Sequence, residues 1–220
     1  MRDEDFEVFI SEFGEATTRC AVPAQAFQRW RGKLPDQLLK YWEDEGWCGY
    51  KDGLFWTVDP DDYEDLVDEW LADTPFEQID SYHVVARSAF GFLYLWGEKT
   101  GDSVVIACNI NAIISLGSSL QRKIDDPDFD MRIFFSNKSP EDCDLKDEMG
   151  EPLFSRALAE LGPLGFDEVY GFEPAIVLGG KMRLENLAKL KLDVHLTILR
   201  QLAAPTIPFT NVDIDKLLGS

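Results

Sequence analysis

The sequence predicts an α+β protein: an antiparallel sheet with flanking helices in an N-terminal module, and a smaller, mainly helical C-terminal module. Three observations carry this. Apolar residues recur at helical spacing towards both ends of the 220-residue chain. The middle, from 82 to 108, is rich in β-branched and aromatic residues. Hydrophobic residues make up 45% of the chain, with fifteen Phe and six Trp, which supplies a packed core and excludes a wholly disordered acidic protein.

Phe6, Phe9, Ile10 and Phe13 fall at i, i+3, i+4 and i+7, one face of a helix that Gly14 stops. Pro23 opens a second short helix carrying Ala26, Phe27 and Trp30. Pro35 opens a third, with Leu38, Leu39 and Trp42 on one side and Gly46 at its C-cap. Residues 54–58 read as a short strand, and Asp59-Pro60 as the N-cap and first residue of a helix that buries Tyr63, Leu66, Val67 and Trp70. Strands follow over 82–87, 90–96 and 103–108, the last two joined by the polar loop from Gly97 to Asp102, and 110–114 is a candidate fourth. Residues 129–135 fit a strand or a short helix alike. The polar stretch 136–151, with Pro140 and Gly150, is a connector, so the first module is expected over 1–140 and the second over 150–205. In the second, a helix over 153–161 ends at Gly162-Pro163, a strand is expected over 174–178, and helical segments over 183–190 and 193–203. A tail, 206–220, is expected to pack loosely.

Acids outnumber bases 41 to 21, a formal net charge of −20. Such a surface repels phosphate backbones and anionic membranes, which argues against direct nucleic-acid binding and against a membrane surface as partner. No run approaches the roughly 18 apolar residues of a membrane span, and the N-terminus is charged, without an apolar targeting segment. The four cysteines, Cys20, Cys48, Cys108 and Cys143, form no C-x-x-C pair and read as reduced thiols of a cytoplasmic protein.

The charge is concentrated. From Asp52 through Ala86 there are eleven acids and no Lys or Arg. On the 60–72 helix the apolar stripe leaves Asp61, Asp62, Asp65, Asp68 and Glu69 on the other faces. The acids of the first turn gain from the helix dipole, but Asp68 and Glu69 do not, and like charges so close together cost helix stability. The ridge is therefore the first candidate contact surface, with Asp125, Asp126 and Asp128 second; the alternative is a solvated helix face.

Catalytic equipment is sparse. His83 lies in a strand pattern and His195 in a helix, neither with a His or Cys at zinc-ligand spacing, and no G-x-S-x-G context is present. Asp126-Pro127-Asp128-Phe129-Asp130 starts like a calcium loop, but Met131 stands where Gly is needed and Asn137 where a bidentate Glu is needed. Gly179-Gly180-Lys181 lacks the Gly at 175 and the Ser or Thr at 182 of a phosphate loop. Trp30, Trp42, Trp56, Trp70 and Trp96 fall on apolar faces, as core residues do. Paired carboxylates of a hydrolase remain open by composition alone. The expectation is a binding protein with no catalytic residues, cofactor or metal, suited to a basic partner. A nuclease is such a partner, because its active groove must be positive to hold phosphates.

Two stretches resemble known families. Leu34-Pro35, Leu39, Tyr41-Trp42 and Gly46, leading through Gly53-Leu54-Phe55-Trp56-Thr57-Val58-Asp59-Pro60 to Phe90-Gly91, Leu93 and Leu95-Trp96-Gly97, resemble the GAD-like domain and, more distantly, the SMI1/KNR4-like immunity modules. Phe154, Leu158, Leu161-Gly162, Asp167-Glu168-Val169-Tyr170-Gly171-Phe172, Pro174-Ala175, Leu178-Gly179-Gly180, Glu185-Asn186-Leu187 and His195-Leu196 are similar to the C-terminal domain of type VI secretion DNase-immunity proteins. The resemblance implies a cytoplasmic immunity protein that binds a cognate secreted antibacterial toxin, a DNase, in a 1:1 complex and masks or distorts its active site. It carries over no catalytic residue and no particular contact. The rival is a non-catalytic regulatory or scaffolding module that binds another basic protein.

Overall fold

A computed structural model describes residues 2–208. Asp3 accepts from the Phe6 backbone N at 2.9 Å and starts α1 (Glu4–Phe13), whose Phe6, Phe9 and Phe13 point inward. β1 (Thr18–Cys20), α2 (Ala24–Trp30) and α3 (Asp36–Glu45) follow, and Gly46 ends α3 at a φ of 87°. β2 (Trp47–Tyr50) and β3 (Phe55–Thr57) form a hairpin. A 3-10 turn over Pro60–Tyr63 then runs into α4 (Glu64–Leu71), and a short α5 (Phe76–Ile79) leads to the long strands β4 (Tyr82–Ser88), β5 (Phe92–Gly97) and β6 (Gly101–Ala107). After β7 (Ala112–Ile114) come α6 (Gly117–Gln121), α7 (Pro127–Ser136) and α8 (Pro140–Cys143). The C-terminal part holds α9 (Phe154–Leu161), β8 (Glu168–Phe172), β9 (Leu187–Lys191) and α10 (Leu192–Leu202).

Among the described residues, β1 to β7 form one sheet in chain order with every neighbouring pair antiparallel, and β8 and β9 form a separate hairpin. The α+β expectation holds, with helices flanking the larger sheet and a mainly helical C-terminal part. The aromatic residues close the core on one face. The Phe9 ring lies 5.3 Å from both Phe55 of β3 and Phe135 of α7, and Phe6 lies 4.4 Å from Tyr41 of α3.

Residues 129–135, which suited either structure, lie in the helix α7 for local reasons. Asp126 accepts from Phe129 N at 2.9 Å, Pro127 takes the first position, and Met131, Phe134 and Phe135 share the buried face. Two expectations in the C-terminal part are corrected. The strand lies at 168–172 rather than 174–178, where Pro174 has no N–H to donate and Ile176–Leu178 forms a 3-10 turn closed by Gly179. The segment 183–190, expected as helix, is a 3-10 turn over Leu184–Asn186 running into β9, because Leu187–Lys191 pairs in register with Glu168–Phe172 and tertiary pairing overrides helix propensity. The expected loose tail begins bonded: Thr206 N donates to Asn111 O and Thr206 O accepts from Ile113 N, each at 2.8 Å. The rest of that tail, 209–220, lies outside the described residues.

A buried cation joins the two parts. Arg87 of β4 is 0% exposed, its guanidinium 4.8 Å over the Trp56 ring. Nη2 donates to the carbonyls of Gly165 (3.2 Å) and Phe166 (2.9 Å), in the loop that enters β8. Burial pushes its pKa down, while Tyr63 and Asp167 act in the opposite direction. Beside it, Tyr170 N of β8 donates to Ala89 O at 2.9 Å. α10 lies across α4: Trp70 Nε1 donates to Leu196 O (3.1 Å), and Arg200 Nη2 to Ala72 O (2.9 Å). The approach is close enough that a Cβ at Gly91, whose φ is 76°, would lie 2.9 Å from the Leu196 side chain.

Two predictions follow from these contacts. Replacing Arg87 by Met strands the carbonyls of Gly165 and Phe166 and should cost about 2–4 kcal/mol in denaturant unfolding; a loss below about 0.5 kcal/mol would mean the guanidinium does not join the parts. The second concerns Asp59, whose side chain accepts from Asp61 N at 3.1 Å and whose pKa is pushed up to about 6 by burial, and further by Asp61 and Asp62. A raised carboxyl pKa favours the protonated form in the folded state, so this contribution to stability is present below pH 4 and is lost as pH rises through 6. Asp59→Asn keeps the cap, so its stability relative to the unaltered chain should rise between pH 4 and 7; a constant difference would contradict the assignment.

Candidate functional site

The structure turns the acidic run into one wall of a groove. Asp59 and Pro60 set the start of the turn before α4, and Leu66, Val67, Trp70 and Leu71 seat α4 on the protein. The opposite wall is the segment from Glu77 to His83. Asp80 fixes it, accepting from Lys99 N, Thr100 N and Thr100 Oγ1, each at 2.8 Å, at the tip of the β5–β6 hairpin. A Cβ at Gly97 would collide with both Asp80 and Thr100, so glycine is required where hairpin and segment meet. Between the walls lies a groove of about 580 Å³ that presents five carboxylates: Glu64, Asp65, Asp68, Glu77 and Asp80.

The predicted ridge is divided between structural and open positions. Asp61 Oδ1 lies 2.6 Å from Arg29 Nε, and Glu64 Oε2 lies 2.7 Å from Arg29 Nη2, so Arg29 of α2 clamps the start of α4. Burial nevertheless pushes the Asp61 carboxyl up, against the pull of Arg29. Glu69 accepts from Gln201 Nε2 of α10 at 3.1 Å. Asp62, Asp65 and Asp68 are exposed, and Asp65 and Asp68 face the groove. Among the described residues no Lys or Arg pairs with Asp65, Asp68 or Glu77.

The second group lies outside the groove. Asp126 caps α7, and Asp128 accepts from Gln37 N at 2.8 Å at the start of α3, so both hold helix ends. Asp125 is exposed. Of the groove itself, the sequence pattern marks the α4 wall and not the one opposite. Glu77 and Asp80 belong to the same run without bases, which was the available signal; that the chain folds back to face α4 was not visible in it.

The groove is a fixed anionic concavity. Carboxylates at this density repel one another, and a guanidinium or ammonium entering between them relieves that repulsion. His83 is engaged rather than poised: its Nε2 lies 3.0 Å from Glu98 Oε1, and its ring packs edge-on against Trp30 at 4.7 Å. His195 packs against the Gly171 backbone, and burial pushes its pKa down. Among the described residues no group of three or more His, Cys, Asp or Glu is arranged to hold a metal ion, and no helix is long and apolar enough to cross a membrane.

The crystal structure of Atu4351 from Agrobacterium tumefaciens is similar, with a TM-score of 0.82 over 94% of each chain at 22% identity, a likeness of fold. No curated protein matches the chain. Residues 4–110 match the GAD-like domain, and residues 128–203 match the C-terminal domain of the type VI secretion immunity protein Tdi1. The two matched segments follow one another along the chain, and the second, to an immunity-protein domain, supports an immunity role.

Proposed function

We infer that this protein is a cytoplasmic immunity protein that binds a cognate type VI secreted toxin, a DNase, in a 1:1 complex and neutralises it by masking or distorting its active site. The single observation that carries the reading beyond the domain matches is the acidic groove between α4 and Glu77–His83, with Asp65, Asp68 and Glu77 unpaired by any cation among the described residues. A DNase must carry a positive groove to hold the DNA backbone. The acidic surface complements such a groove in charge and competes with phosphates for its cations. A net charge of −20 also steers a basic toxin towards this protein and speeds encounter. Inhibition of this kind is stoichiometric and needs no catalytic residue, cofactor or metal.

The test uses the product of the neighbouring reading frame, co-expressed with this chain, separated from it under denaturing conditions and refolded. The freed protein should degrade DNA, and the unaltered chain should stop it at one equivalent. In the double variant Asp65→Lys/Asp68→Lys the Kd should rise by about tenfold or more, with a shallower dependence on salt. An unchanged Kd and salt dependence would make α4 a solvated face. A partner that binds without degrading DNA would refute the DNase reading while leaving a basic toxin of another chemistry.

A further inference from the structure

The outer face of α10 is apolar where a surface helix is expected to be polar. Val194, Ile198 and Leu202 recur every fourth residue and are 55%, 46% and 39% exposed. Spacing of four puts them in one stripe along the helix. Leu192, Leu196 and Leu199 already fill the buried face, so the stripe does not serve the core. The 3-10 turn Ile176–Leu178 packs against α10 and adds Val177 and Leu178, 37% and 62% exposed. Apolar residues scattered singly on a surface are ordinary; five gathered on a helix and the turn beside it mark a contact surface.

Its position tells which partner it fits. On a helical projection Gln201 lies within about 20° of Val194, two turns further along, at the edge of the stripe nearest α4. Gln201 is also the residue that donates to Glu69 of α4. The apolar stripe therefore continues through the Gln201–Glu69 contact into the exposed acids Asp65 and Asp68. The combined face has an apolar centre and an acidic border, the arrangement of a protein interface with a desolvated core and a polar rim. A second copy of this chain would bring the same acidic border and a further charge of −20 against it. A protein with apolar side chains flanked by Lys and Arg meets both parts.

We propose that the α10 stripe, with Val177 and Leu178, is the apolar centre of the surface that binds the basic toxin, and that the α4 acids form its charged border. This rests on the immunity reading and extends it by dividing the labour: the stripe holds the complex, and the acids steer it.

The experiment compares Val194→Ser/Ile198→Ser with Asp65→Lys/Asp68→Lys in binding kinetics against the co-expressed neighbouring product at low and high salt. Both positions of the serine variant are exposed, and a thermal midpoint within about 2 °C of the unaltered chain confirms its fold. The serine variant should dissociate at least about tenfold faster with its salt dependence unchanged, whereas the lysine variant should associate more slowly with a weaker salt dependence. A serine variant with unchanged dissociation, against a product that the unaltered chain does bind, would overturn this proposal and leave the immunity reading standing. Failure of the unaltered chain to bind would remove both. A free chain that dimerises at micromolar concentration and is made monomeric by Ile198→Ser would assign the stripe to a second copy and overturn the proposal as well.

Discussion

The arrangement of this protein depends on one buried cation. Arg87 sits in the middle of the sheet, held by the Trp56 face, by two carbonyls of the loop before β8 and by the Ser88 carbonyl. A guanidinium suits this because the two N–H groups of Nη2 serve the two carbonyls while its plane stacks on an indole, a flat-face contact that a lysine ammonium does not make. The consequence extends outward. The loop fixes the start of β8, β8 pairs with β9, and β9 runs directly into α10. α10 then lies on α4 through Trp70 and Arg200. The α4 wall of the acidic groove is thus set by the C-terminal part as much as by its own sequence.

The distribution of the 21 bases among 41 acids follows a pattern. Arg2 binds Glu15 and Glu45, Arg19 binds the same two acids, and Arg29 binds Asp61 and Glu64, so these bases fasten one element to another. None reaches Asp65, Asp68 or Glu77 among the described residues. A stability-driven arrangement would place a cation there, since exposed like charges on one helix are unfavourable. An unrelieved acidic surface is instead what a basic partner requires, and it keeps the free protein from associating with itself.

Much of this was legible in the sequence where the signal was local. The Phe6–Phe13 spacing, the prolines at 23, 35 and 60, Gly46 and the β-rich middle each specify an element through its own neighbours. The failures were nonlocal. β1 is three exposed residues whose strand character comes only from pairing with β2. In β2, Gly49 is present because a Cβ would lie 2.9 Å from the Trp56 ring across the hairpin. Leu187–Lys191 carries helix-forming residues and becomes a strand only because Glu168–Phe172 lies beside it. The site divides in the same way. The run without bases marked α4, but Arg29 lies 35 residues from the Glu64 it neutralises, and the wall carrying Glu77 and Asp80 is set by backbone N–H groups of Lys99 and Thr100. Asp126 and Asp128, attractive as an acidic cluster, cap helices.

A basic toxin that seats on the α4 acids and the neighbouring α10 stripe would cover both helices. Amide hydrogen exchange of this chain, free and in complex with the neighbouring gene product, tests this seating most directly. Exchange should slow in 64–83 and 192–202 and change little in β1 and β2. Slowing concentrated at β1 and β2 or around 125–128, with α4 and α10 unaltered, would contradict it.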